Sequence, residues 1–227
     1  MNLEMENLEE LRLIKGVFMA REKKEKEFVD KLLYEKQEQE KGRFLIAGVD
    51  EVGRGPLAGP VCVASVMMPL DDIIEGVDDS KKISEKKREL LFEQIKEKAI
   101  CYSIQMVDEQ TIDEINILEA TKLAMKRAIE DMSVKPDVVL VDAISKLDTN
   151  IEIRGIVKGD ALSYSIGCAS ILAKVTRDRF MCELAEEYPE YGFEKHKGYG
   201  TKQHIEALKE YGPCVYHRLS FLKFLGE

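Results

Sequence analysis

The stretch FLIAGVDEVGRGPLAGPVCVASVMM, residues 44–68, sets two apolar runs on either side of a segment rich in glycine and proline. FLIAGVDEV and PVCVASVMM are dense in β-branched and other apolar residues, so each reads as a strand, with residues 53–60 as the connection. The first run ends in two adjacent carboxylates, Asp50 and Glu51, and a glycine-bracketed arginine, Gly53-Arg54-Gly55, follows at once. A third run, ICYSIQM (100–106), alternates apolar and polar residues, which suits a half-buried strand. Between the second and third, a helix is predicted from near Ser84 with Leu90, Leu91 and Ile95 on its apolar side. ILEATKLAMKRAIEDM (117–132) is an amphipathic helix, VVLVD (138–142) a short apolar strand ending in Asp142, and IEIRGIV (151–157) another strand that leads into Lys158-Gly159-Asp160. Helical patterns then run over 163–187 and 201–211. Strands first, then strands alternating with helices, predict an α/β fold with a mixed sheet flanked by helices.

Residues 1–42 differ from the rest, being dense in Glu, Lys and Gln with Leu8, Leu11, Ile14 and Phe18 at helical steps. They are expected to form a helical N-terminal arm, with the main domain over 43–227. The hydrophobic fraction of 44% supports a sizeable core, and no run approaches the roughly 20 apolar residues of a membrane span. The acidic, amphipathic start resembles neither a secretory signal nor a transit peptide. Five cysteines without a C-x-x-C argue against a disulfide framework or a zinc site. The expectation is a reduced, cytoplasmic protein.

A net charge of −9 argues weakly against a nucleic-acid partner, yet two patches run against it. SKKISEKKR (80–88) holds five basic residues and one acid, and KHKGYGTKQH (195–204) holds three lysines, two histidines and no acid. Each could equally be a solvated helix face or loop. Among the acids, Asp50 and Asp142 stand out because each ends an apolar strand, and open α/β sheets place their sites at that edge. Carboxylates that converge there repel one another unless a cation neutralises them, and oxygen-only clusters suit Mg²⁺ or Mn²⁺. Blander readings remain: Asp160 as a cap of the helix that follows, Asp142 as a strand-end turn residue, Glu51 as an outward-facing polar residue. The Gly-x-Gly does not fit a dinucleotide loop, because Pro56 interrupts it and two acids stand where a pyrophosphate would sit.

GVDEVGRGPLAGPV, DDSKKIS, NILEATKLAM, VLVDA, VKGD with ASILAKVTRDR, and HKGYGTKQH through HRLSF resemble, in order, the motifs of ribonuclease HII over residues 44 to about 221. The resemblance implies an RNase H-like fold and an endonuclease that cuts the RNA strand of RNA–DNA hybrids. It further implies incision 5′ of single ribonucleotides in duplex DNA, with 3′-hydroxyl and 5′-phosphate ends and a two-metal mechanism using Mn²⁺ or Mg²⁺. The family's catalytic, metal-holding acids fall on Asp50, Glu51, Asp142 and Asp160. Its ribose-surveying segment falls on Gly53, Arg54 and Gly55, its phosphate-approaching segment on Ser80 and Lys81, and its substrate-sensing tyrosine on Tyr199. Partners implied are RNA–DNA hybrid and ribonucleotide-containing duplex DNA, no membrane, and a monomeric enzyme. The sister family, ribonuclease HIII, typically carries lysine between the two glycines and a larger N-terminal domain, so Arg54 favours HII. One departure is Ala143, where the family commonly has glycine. Arg54 is expected to stay apart from the metal chemistry of the acids.

Overall fold

Strand β1 (Ile46–Val52) lies at the centre of a five-stranded sheet. β2 (Val61–Met67) runs antiparallel to it with Asp50 opposite Ala64, and β3 (Cys101–Val107) runs antiparallel to β2. On the other side β4 (Val138–Asp142) is parallel to β1, and β5 (Glu152–Ile156) is parallel to β4, giving the order β3-β2-β1-β4-β5. The structure, a computed structural model, describes residues 30–143 and 146–225. The expected arm therefore lies largely outside the described residues.

All of β2 is buried, which requires cover on both faces of the sheet. Among the described helices, α1 is Leu33–Glu40, α2 Glu85–Lys98, α3 Glu109–Ile115 and α4 Ile117–Glu130. They are followed by α5 (Gly159–Leu162), α6 (Tyr164–Glu187), α7 (Phe193–His196) and α8 (Lys202–Tyr211). On one face Ala120, Ala124, Met125 and Ala128 of α4 pack on Val49, Val63, Val139 and Val141. On the other, α6 and α2 cover Cys62, Ala64 and Val66. α6 crosses β1 so closely that a β-carbon on Gly48 would stand 2.1 Å from the Ser165 carbonyl carbon. Only glycine allows that approach, and it brings the N-terminal part of α6 over Asp50. No helix among the described residues is long and apolar enough to cross a membrane.

Two features differ from the sequence expectation. The inward stripe of α2 is Leu91, Phe92 and Ile95, while Leu90 is 61% exposed. At 100° per residue Leu90 falls roughly 150° from the centre of that stripe, so it faces out. The compact unit begins at Lys31 rather than residue 43, because α1 belongs to it. Two glutamates of α1 are wholly buried. Glu35 accepts hydrogen bonds from the Ser163 hydroxyl (2.6 Å) and the Ser165 amide (2.9 Å) at the start of α6. Glu38 receives Arg154 of β5 at 2.6 Å and Arg43 at 2.7 Å. α1 is thus a polar buttress for β5 and α6.

Candidate active site

The parallel register of β1 and β4 sets Val49 beside Val141, so one residue on Asp50 and Asp142 stand side by side at the carboxyl ends of adjacent strands. Neighbouring strands are about 4.8 Å apart, within range for strong charge coupling. Asp50 is buried, accepts the Glu51 amide N–H at 2.8 Å and is hydrogen-bonded to Ser170 of α6. Asp142 accepts the Gly159 amide at 2.9 Å, which seats the β5–α5 connection against β4 and brings in Asp160 on α5. Glu51 directs Oε1 at the Arg54 guanidinium, 3.4 Å away, while its buried Oε2 has no partner among the described residues. Arg54 thus offsets part of the charge on Glu51.

Burial, then the charges of Glu51 and Asp142, push the Asp50 carboxyl well above the usual carboxylate range. Burial also raises Glu51, with Arg54 opposing and Asp142 adding. Asp160 is raised by burial, Asp79 and Asp142, and eased by Lys81. Asp142 thus acts on each of the other three, and the four acids form one electrostatic cluster. Such a cluster resists full ionisation without a cation. Its all-oxygen donors and the orphaned Glu51 Oε2 fit a hard divalent ion such as Mg²⁺ or Mn²⁺. Among the described residues no three His, Cys, Asp or Glu side chains are gathered closely enough to hold a metal ion by themselves.

Four residues after Glu51, Gly55 faces Tyr199, a residue that is 43% exposed. A β-carbon on Gly55 would stand 3.7 Å from Tyr199 Cε1. The two loops are laced together: the Leu57 amide donates to the Gly198 carbonyl at 2.8 Å, and a β-carbon on Gly198 (φ +83°) would lie 2.4 Å from the Ala58 carbonyl oxygen. The structure separates Ser80 from Lys81. The Ser80 hydroxyl is buried in a 2.9 Å bond with Ser170, so it anchors the loop to α6, whereas Lys81 is exposed. Ala143 adopts φ +55°, the left-handed region where glycine costs nothing and alanine is strained.

Three groups carry no mark in the sequence. All three histidines surround the Tyr199 loop. The Cys214 amide donates to His217 Nδ1 (2.9 Å), so His217 carries its proton on Nε2 and donates to His204 Nε2 (3.0 Å); His204 Nδ1–H then donates to the Tyr199 carbonyl (3.0 Å). His196 stacks on His204 with centroids 4.6 Å apart and accepts the Gly198 amide. Arg177 and Arg218, both fully buried, lie beneath residues 53–60. Ser170 joins Asp50 to the Ser80 loop. The only signal in the sequence is proximity of His and Arg to the quoted motifs.

Residues 47–224 match the family model of ribonuclease HII. A ribonuclease HII of Caldicellulosiruptor bescii is 58% identical over 197 residues, covering 87% of this chain and 93% of that protein. The ribonuclease H2 structure from Pyrococcus horikoshii superposes with a TM-score of 0.65 at 29% identity, covering 80% of this chain and 99% of that one. Ribonuclease HII from Archaeoglobus fulgidus, solved in complex with PCNA, gives 0.68 at 30% identity, with 77% and 94% covered. With the mixed five-stranded sheet and flanking helices of those structures, the chain belongs to the ribonuclease HII family and is an endoribonuclease acting on RNA–DNA hybrids.

Proposed function

We propose that this enzyme also incises duplex DNA 5′ of a single embedded ribonucleotide, leaving 3′-hydroxyl and 5′-phosphate ends, and that Asp50, Glu51, Asp142 and Asp160 hold a pair of Mn²⁺ or Mg²⁺ ions. The observation that carries this reading is the acid cluster at the ends of β1 and β4 followed, four residues after Glu51, by Gly55, against which the Tyr199 ring lies. Bound ions would activate a water and neutralise charge on the leaving oxygen.

The chain's own groups divide the remaining work. Asp50, fixed by the Glu51 amide and Ser170, presents a pre-oriented carboxylate. Asp142 couples β4 to α5 and keeps Asp160 facing the cluster. Gly53 and Gly55 let bare backbone approach a sugar, and the 2′-hydroxyl is the group that distinguishes ribose from deoxyribose. The exposed Tyr199 ring offers an apolar face for the next deoxyribose, and Lys81 meets backbone phosphate.

The test is a duplex carrying one ribonucleotide, incubated with Mn²⁺, Mg²⁺ or EDTA and resolved on a gel with end-group analysis. The reading expects one incision 5′ of the ribonucleotide, abolished by EDTA. Cleavage of continuous hybrid alone, or incision that survives EDTA, would overturn it.

A further inference from the structure

Beneath residues 53–60 lie two fully buried arginines that form no salt bridge among the described residues. Arg218 donates from Nη2 to the Gly53 and Gly59 carbonyls (2.6 Å each), from Nη1 to the Arg54 carbonyl (3.0 Å) and from Nε to Gly59 (2.9 Å). Arg177 donates to the carbonyls of Pro60 (2.8 Å), Ala58 (3.0 Å) and Lys197 (2.9 Å). A buried cation with no carboxylate in salt-bridge range is expensive, so both depend on the carbonyl dipoles converging on them, with the more distant Glu109 adding to each. Burial and its neighbour Arg177 bring the Arg218 pKa down to about 9, which still leaves it charged at neutral pH.

The consequence lies on the far side of the peptide planes. In a trans peptide the carbonyl of one residue and the N–H of the next point in opposite directions, and the described chain has no cis bond. With the Gly53 and Arg54 carbonyls drawn inward by a rigid guanidinium fork, the Arg54 and Gly55 N–H groups are turned outward. Neither N–H donates to a protein acceptor among the described residues.

We propose that Arg218 is a positioning residue for ribose recognition: clamped on the Gly53 and Arg54 carbonyls, it aims the Arg54 and Gly55 amides at the 2′-hydroxyl. Arg177 ties the same loop to the Tyr199 loop through the Lys197 carbonyl, so that both readers move as one body. This inference rests on the single-ribonucleotide reading above.

Two measurements test it. Arg218→Lys keeps the charge but cannot span both carbonyls. On a duplex with one ribonucleotide its kcat should fall about 10- to 100-fold, as misplaced recognition groups do, with KM within about threefold of wild type. Arg218→Ala should regain cleavage with added guanidinium and not with ammonium. In the wild-type protein, with Ca²⁺ replacing Mn²⁺ to prevent cleavage, hydrogen exchange at the Arg54 and Gly55 amides should slow with the ribonucleotide duplex and not with the all-DNA duplex of the same sequence. That measurement holds even if an Arg218 variant fails to fold. Equal protection by both duplexes, or a folded Arg218→Lys with wild-type kcat, overturns the proposal. If wild-type enzyme does not incise the duplex at all, the single-ribonucleotide reading fails instead.

Discussion

The ring of Tyr199 lies against Gly55, its Cε1 3.7 Å from where a β-carbon on that glycine would begin. That distance is ordinary van der Waals contact, and Gly55 is not among the positive-φ residues, so Gly55→Ala should fold and melt like wild type. The added methyl would stand in the gap a sugar must enter. We expect kcat/KM on a single-ribonucleotide duplex to drop at least about tenfold, the scale of a misplaced near-attack geometry. Unchanged kcat/KM would show that the sugar does not pass between these residues.

Tyr199→Ala should also leave the fold intact, since the loop is held by its backbone: the Tyr199 carbonyl by His204, the Gly198 carbonyl by Leu57. If the ring packs on the sugar after the ribonucleotide, cleavage at a single ribonucleotide should fall more than cleavage of continuous hybrid, where a 2′-hydroxyl on that sugar would already crowd it. Comparing kcat/KM on the two substrates decides it. Equal losses would mean that the ring is no junction sensor.

Asp50→Asn keeps the side chain's volume and its capacity to accept the Glu51 amide while removing a charge that burial, Glu51 and Asp142 all disfavour. Activity should fall by two orders of magnitude or more, as for removal of other catalytic groups, with duplex binding retained. Melting in EDTA should move up, because the variant relieves repulsion that only a cation otherwise offsets. A variant within about tenfold of wild-type activity would contradict a ligand role.

Truncation separates the two readings of the N-terminal segment. Removing residues 2–29 spares the compact unit that begins at Lys31 and should leave kcat unchanged. Removing 2–40 takes away the buried acceptors Glu35 and Glu38 and strands Ser163, Ser165 and Arg154. Broken buried pairs of this kind cost about 3 kcal/mol or more, so that shorter protein should melt well below the first. Equal melting temperatures would show α1 to be dispensable.

The legible and the hidden parts of this molecule divide along one physical line. Strand ends such as Asp50 and Asp142 are visible in the chain because apolar runs and their terminating acids are local patterns. The burial of Glu35 and Glu38 is hidden because the partners that enclose them, Ser163 and Arg154, lie more than a hundred residues away. Arg218 is hidden for the same reason: what it holds, Gly53 and Arg54, is defined only by the tertiary fold. The bond from Ser80 to Ser170 is hidden in the same way, its partner lying ninety residues along the chain.

The histidine pair behind Tyr199 gives a prediction in pH. Burial pushes His204 and His217 down to about 4, so both are neutral in the fold and hold the relay from Cys214 to the Tyr199 carbonyl. In the unfolded chain each titrates near 6.5. Between pH 6.5 and 4 the unfolded state therefore binds protons that the folded state refuses, and this contribution to stability falls as the pH is lowered. Buried acids run the other way: Glu109, raised to about 7 by burial, favours the fold as pH drops through the same window, and Asp50, Glu51 and Asp160 shift in the same direction. A wild-type profile alone would mix the two, so the measurement is a difference. The stability gap between wild type and His204→Gln, from urea unfolding at each pH, should narrow by roughly 2 kcal/mol between pH 7 and 4.5, the linkage expected for one histidine that titrates near 6.5 unfolded and at about 4 in the fold. A gap that stays constant over that range would mean that His204 is not held neutral in the fold.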